Sequence, residues 1–520
     1  MPKLRRFLKY VLWLTGVCVL AVILTALIPL KSAPLVGVKR SYAITHINIV
    51  NTVSGDVLED MTVLVEKDRI TRIVPSSDYQ ADSKYFVIPG KGKYLLPGLW
   101  DMHTHSLKLS PQLHHPLFIR YGVTSIRDMS GCLDRDDSYW ACPGDRVLWE
   151  KQAINGERVS PRYPLQSSYQ TNGGNEVPDE YPGYFRVQNP GDAKKLTDFY
   201  STQGVDFIKT YTELTSDQYN NLAASTAQRG LDIAGHKPIS ISLSRALEVR
   251  MKSIEHGRLF MFECFNGIEE FRKLDDPISQ YNAQFIREML ENQNPKKCTD
   301  EMRAMANSAT SWVPTLTTLK MSAEANEESF RQDPRLKYIP YVVRKLLWEP
   351  DIGRASSKGY DQQGQFVHAE FYAAVASQIS QAKRLGVNLL AGTDNIDTYV
   401  FTGASLHDEL GMLVESGLTP LEAIQSATIN PAKFADMDHE FGSVEINKHA
   451  DLLLLNKNPL MDIKNTADIY GVMFSGQYFD QQALNTLDRF AINSARSLRV
   501  NIQFLFDLLA SPLMRVQLAD

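Results

Sequence analysis

The sequence predicts an α/β protein, a (β/α)8 TIM barrel with a small β-sandwich domain built from both flanking segments. Three observations lead there. Strand-like runs alternate with amphipathic helical stretches through the middle of the 520 residues, which argues a parallel sheet. Short alternating runs with β texture occupy 42–89 and return near 450–455 and 471–474. Side chains that ligate metals cluster at the ends of the strand-like runs, where a barrel carries its chemistry.

Eight candidate barrel strands can be placed, at 98–105, 122–128, 163–168, 205–211, 231–236, 252–256, 312–316 and 387–394. Eight is the number that closes a barrel. Helical periodicity between or after them covers 216–229, 241–250, 366–385 and 405–416. Three longer connections, 129–161, 257–311 and 317–365, follow strand ends and are expected to act as lid and specificity elements. The boundaries follow: 1–35 is an anchor or signal segment, 41–90 with 436–478 the composite sandwich, 91–435 the barrel, and 479–520 a helical extension. That extension repeats apolar residues at Leu498, Ile502, Leu505 and Leu509.

A hydrophobic content of 43% and charged content of 22% are those of an ordinary globular enzyme. The net charge of −5, with no basic tract beyond the N-terminus, excludes a nucleic-acid binder. Lys3, Arg5, Arg6 and Lys9 precede Val11 to Leu30, a stretch without a charged residue and long enough to span a bilayer. The basic flank predicts a cytoplasmic N-terminus and an extracytoplasmic body, periplasmic or extracellular. Ser32-Ala33-Pro34 leaves a cleaved signal peptide as the alternative. In an oxidising compartment Cys132, Cys142, Cys264 and Cys298 can form disulfides, with Cys132–Cys142 the expected pair, or remain free thiols.

The first candidate strand ends in His103-Thr104-His105. On a strand the two imidazoles share one face and form half of a divalent-metal site. Lys209 ends the fourth strand, His236 the fifth, His256 the sixth and Asp394 the eighth. Only 11 histidines exist in the chain, and four fall at these ends, so the set reads as a metal centre. Tyr211 shares a strand face with Lys209, as an oxyanion donor or a core tyrosine. His407 lies just beyond the last ligand, lining the pocket or starting a helix.

Several motifs together resemble the amidohydrolase superfamily, near its imidazolonepropionase-like and prolidase-like branch. They are Pro97-Gly98-Leu99-Trp100-Asp101-Met102-His103-Thr104-His105, Gly122-Val123-Thr124-Ser125-Ile126-Arg127-Asp128, Ile254-Glu255-His256-Gly257, Ala391-Gly392-Thr393-Asp394, Ala427-Thr428-Ile429-Asn430-Pro431-Ala432 and His449-Ala450-Asp451-Leu452. The resemblance covers roughly 41–477. It implies a metal-dependent hydrolase that cleaves carbon–nitrogen bonds of a small-molecule or short-peptide substrate with metal-activated water. It also implies two divalent ions, zinc by first expectation, bridged by a carboxylated Lys209. His103, His105 and Asp394 would hold one ion and His236 with His256 the other. Asp394 would also serve as catalytic base. One departure stands out: relatives often carry Gly-Gly-His after strand three, where this chain has Gly173-Gly174-Asn175. The alternatives are a one-metal deaminase or imidazolone-type ring hydrolase, and a membrane-tethered binding protein that has lost catalysis. Substrate identity and oligomeric state are not encoded in any motif.

Overall fold

The computed structural model describes residues 6, 9–10, 12–17 and 28–518. Tyr94–Pro97 runs directly into the first barrel strand, Leu99–Thr104, so one stretch of chain belongs to both sheet systems. Its edge is covered by the returning segment, with Leu452–Leu455 pairing antiparallel from Leu452↔Pro97 to Leu455↔Tyr94. The resulting sheet has nine strands drawn from both ends of the chain. Its order is Val38–Lys39, Gln477–Phe479, Ile469–Phe474, Leu452–Leu455, Tyr94–Pro97, Tyr42–Val50, Val57–Glu66 and Arg69–Pro75, with Phe86–Pro89 pairing on Tyr42–Val50. A buried ion pair, Arg162 Nε to Asp451 Oδ2 at 2.6 Å, locks this sheet to the barrel. The Asp451 carbonyl accepts Gly98 N at 2.7 Å at the same junction.

The barrel is a (β/α)8 barrel made of two parallel ladders. One joins Leu99–Thr104, Val123–Asp128 and Arg162–Gln166. The other joins Phe207–Thr210, Asp232–Gly235, Ser253–Glu255 and Ser311–Val313. Single bridges Ser167↔Phe207 and Thr171↔Thr210 connect them. The expected eighth strand, 387–394, is not a regular strand: among the described residues it carries the single bridge Trp312↔Leu389, with Thr104↔Asn395 one residue past its end. Backbone bonds still close the barrel through it, from Met102 N to Ala391 O at 2.9 Å and from Leu390 N to Trp312 O at 3.0 Å. The irregularity has a steric source. A Cβ on Gly392 would lie 2.8 Å from His103 N, so the chain passes strand one too closely for a continuous ladder of side-chain-bearing residues.

Helices occupy the four stretches the periodicity marks. Ser216–Ala227 opens on a capping box in which Thr215 accepts Gln218 N and the Gln218 side chain returns to Thr215 N. Leu243–Glu248 starts on Ser242, and the others are Val367–Arg384 and Ala404–Glu415. The tail forms Gln481–Arg496, Leu498–Ala510 and Pro512–Gln517. Two disulfides form, Cys132–Cys142 and Cys264–Cys298. The second closes 34 residues of the long connection after strand six, a constraint on the unfolded chain that stabilises by about 2–4 kcal/mol. Among the described residues no helix is long and apolar enough to cross a membrane. The anchor expected over 11–30 falls largely on residues 11 and 18–27, which lie outside the described set.

Candidate active site

Strand register builds the site. Lys209 is paired with Ala234, and Thr210 with Gly235, so His236 is the first residue beyond the fifth strand. Gly235, at φ +125°, makes that exit possible, because a Cβ there would meet Thr210 O at 2.5 Å. His256 likewise follows Glu255, which pairs with Val313. At the closing edge Asp101 accepts His103 N, Thr393 N and the Thr393 hydroxyl at 3.2, 3.0 and 2.6 Å, clipping the end of strand one to the approach of Asp394.

The predicted residues His103, His105, Lys209, His236, His256, Asp394 and Tyr211 all reach one cavity of about 750 Å³. Nε2 of His105 lies 2.8 Å from Asp394 Oδ1, and His103 Nε2 lies 3.3 Å from the same oxygen. The Nε2 atoms of His236 and His256 meet at 2.8 Å, and His256 Nδ1 is 3.7 Å from Asp394 Oδ2. Lys209 is almost fully buried, with no carboxylate within 4 Å of its ammonium among the described residues. Tyr211 stacks on His236 with ring centres 3.9 Å apart.

His407 is the exception. Its Nδ1 meets the Thr466 hydroxyl and its Nε2 the Tyr121 carbonyl, both at 2.9 Å, within the buried core beside Tyr121. The expectation that it lines the pocket is therefore corrected. Position along the chain brought it near Asp394, but helix Ala404–Glu415 turns it toward the segment 463–467 instead.

Charge at the site follows from burial and neighbours. Burial keeps His105, His236 and His256 below the ordinary imidazole range, the last two far below it, so these rings are neutral at neutral pH. Burial pushes Asp394 up, but the histidines around it prevail and hold it well below the usual carboxylate range. Burial draws the Lys209 ammonium down to about 8 and lifts the Tyr211 hydroxyl to about 12.

These donors suit divalent cations. His103 Nε2 is buried without a hydrogen bond, while its Nδ1 is engaged by Glu255 at 2.9 Å. The Nδ1 atoms of His236 and His256 meet the hydroxyls of Thr212 and Thr315 at 2.8 and 2.9 Å. Rings whose outer nitrogens are held by such partners present the inner nitrogens in a defined direction, as metal-ligating histidines do. His103, His105 and Asp394 place one donor atom each within 4.8 Å of one another. A second cluster of that kind, at Asp136, Cys142 and Asp145, is disqualified because Cys142 is in a disulfide. Backbone strain gathers at the same place: His256, Thr315 and Asp394 have φ of 73°, 44° and 62°. The Trp312 indole, donating to the His256 carbonyl at 2.8 Å, helps hold that conformation.

Residues outside the predicted set stand behind the donors or complete the walls. Glu255 receives two bonds from Arg127, at 2.8 and 2.9 Å, in a fully buried network. Both stood inside recognisable motifs, so the signal was present but their partnership was not. Trp140 from the first long connection packs 6.1 Å from His105. Tyr281 and Met321 bring the other two long connections to the cavity, and Val516 and Gln517 bring the C-terminal helix. Gln517 donates to the Tyr169 hydroxyl at 2.8 Å. Nothing in the sequence marked the tail as a cavity wall.

Comparison with known proteins bears on the fold. Residues 370–478 match the model of the amidohydrolase family. Bottromycin amidohydrolase shares the fold with a TM-score of 0.65 at 20% identity, over 91% of this chain and 92% of that one. An Xaa-Pro dipeptidase with bound methionine gives 0.58 at 19%, over 85% and 100%. A putative prolidase from Bifidobacterium longum gives 0.56 at 22%, over 87% and 99%. An adenine deaminase of Clostridium botulinum (strain Loch Maree / Type A3) is 47% identical over 53 residues, 10% of this chain, and the match spans only 8% of that enzyme. The family match is thus confined to the C-terminal part of the barrel and the returning segment, and over most of its length the chain shares its fold with these solved hydrolases.

Proposed function

We propose that this chain is a divalent-metal-dependent hydrolase that cleaves the amide bond of a short peptide or N-acyl amino acid. The observation that carries the reading is the convergence of four imidazoles, Lys209 and Asp394 on one cavity at the ends of the barrel strands. His103, His105 and Asp394 would hold one zinc ion and His236 with His256 a second, with Lys209 carboxylated between them. Divalent cations there supply Lewis acidity and lower the pKa of water toward neutrality. Asp394, ionised and beside both imidazoles of strand one, accepts the proton of the attacking water and passes it to the leaving nitrogen. Tyr211, kept protonated, donates to the oxygen on which charge develops.

Recognition of the substrate falls to Arg258. It lines the cavity, and no carboxylate lies within 4 Å of it among the described residues. Its guanidinium reaches the His236 ring only at 3.5 Å. Beside it opens a side pocket of about 70 Å³ walled by Ile239, Phe262, Ile268 and Ile278. A free substrate carboxylate on Arg258 with an apolar side chain in that pocket fits both. Arg258→Met is therefore expected to raise KM for dipeptides by about 10–100-fold, the worth of a charge-assisted hydrogen bond, and to leave their C-terminal amides unaffected. Steady-state kinetics on the matched pair checks this.

The reading as a whole is tested by metal analysis of the purified protein and a screen of dipeptides, N-acyl amino acids, lactams and lactones. Two ions per chain with hydrolysis of one of these classes is the expected result. One ion with ammonia release would favour the deaminase, to which the short adenine deaminase match points. Lys209 gives a separate prediction. Its neutral amine adds CO2, forming a carbamate and releasing a proton. With the ammonium drawn down to about 8, the neutral fraction rises as pH passes that value. Reactivation of stripped protein, per dissolved CO2, should be about tenfold faster at pH 9 than at pH 7. A rate flat across that interval would remove Lys209 from the centre.

We also place the body outside the cytoplasm, tethered by 11–30. The uncharged run with its basic flank supports this, as do the two disulfides, which suit an oxidising compartment.

A further inference from the structure

Helix Leu498–Ala510 is apolar on two sides, and the body covers only one of them. Val500, Phe504 and Leu508 are buried, and the Phe504 ring packs 5.5 Å from Tyr139. On the other side Leu498 is 75% exposed, Phe506 54% and Leu509 61%, with Leu505 beside them. The helix carries only two ionisable groups. Asp507 is buried and receives Gln503 Nε2 at 2.7 Å. Arg499 reaches back to the carbonyls of Ile28 and Pro29. An apolar helix face of this size is covered by protein or by lipid, and the body leaves this one uncovered.

We propose that the exposed face of Leu498–Ala510 rests in the headgroup region of a phospholipid bilayer, as a second membrane contact of the chain. The occupant is named by position. Ile28 and Pro29 close the uncharged run from Val11 to Leu30, and Arg499 ties this helix to that very point. Any chain whose run spans the bilayer holds the helix at its surface, so the inference rests on the tethering proposed above. Ile28 is itself 57% exposed, and Tyr341 is 67% exposed in the segment whose Val342 N donates to Asn501 Oδ1 at 3.0 Å. Both neighbours of the helix thus expose apolar side chains as well. Interfacial helices bind through buried apolar area of this kind. The next helix, Pro512–Gln517, ends at the cavity wall through Val516 and Gln517, so the contact orients the cavity relative to the lipid.

The test uses the full chain carrying Cys18→Ser and Phe506→Cys, labelled with an environment-sensitive nitrobenzoxadiazole dye and incorporated into phosphatidylethanolamine–phosphatidylglycerol vesicles. A matching Met461→Cys protein, at a site 81% exposed, serves as the solvent reference. The dye at 506 is expected to blue-shift on incorporation and to lose emission with doxyl-labelled lipids, while the dye at 461 does neither. Protein that floats with the vesicles but shows solvent-like emission at 506 overturns the proposal and leaves the tether standing. Protein that does not float overturns both. A blue shift already present without lipid, or one that grows with protein concentration, would assign the face to another segment of the chain or to a second copy, and also overturns it.

Discussion

Asp394→Asn is expected to lower kcat/KM by about 10²–10⁴-fold, the range for loss of a positioned acid–base group. Asparagine is the informative replacement because it keeps the shape of the side chain and tolerates the left-handed backbone that Asp394 adopts, at φ 62°. It removes the negative charge that meets His105 at 2.8 Å and His103 at 3.3 Å, so metal content should fall as well. Kinetics, metal analysis and thermal unfolding on one preparation separate the effects. A folded variant that keeps activity within a few-fold of the parent would exclude Asp394 as the base.

The second large effect is expected at Glu255, which does not face the substrate. Arg127 and Glu255 are wholly buried, and Arg127 also donates to Met102 O and the Ser253 hydroxyl. Glu255→Gln leaves that guanidinium in the core without a counter-charge, a loss of about 3–5 kcal/mol of stability. Because the same carboxylate holds His103 Nδ1, metal affinity should also drop, by about 10–100-fold. The double variant with Arg127→Met should recover part of the stability, because the orphaned charge is gone, but not the metal affinity. Denaturant unfolding and metal titration of the four proteins complete the cycle. Equal stability of Glu255→Gln and the parent would refute the role given to this network. The pH dependence has a definite sign. Burial opposes ionisation of Glu255, but Arg127 and His103 prevail and hold it at about 2. A carboxyl depressed in the folded state stabilises above its unfolded value near 4.5, and that contribution is lost as pH falls toward 2.

Much of the site was legible because metal ligation restricts residue type. Few side chains can do it, and a barrel displays them at strand ends, so His103, His105, His236, His256 and Asp394 could be picked out as candidates by identity and spacing, while the part given to Lys209 came from the family resemblance. His407 shows the limit. It satisfied residue type and proximity in the chain, yet its helix turns both ring nitrogens to the core. The eighth strand shows another: an apolar run promises extended chain, but Gly392 passing against His103 replaces the ladder with isolated bridges.

By itself the sequence determined the order of strands and helices, the return of the late segment to the early sheet, and the candidate donors. Each of these follows from local periodicity or from residue chemistry read along one dimension. Only the tertiary structure decided which partners stand behind the donors, with Glu255 and Arg127 behind His103 and the threonines behind His236 and His256. It alone brought Trp140, Arg258 and the C-terminal helix to the cavity. These contacts join residues tens to hundreds of positions apart, and they depend on packing and burial, which leave no periodic trace in a chain.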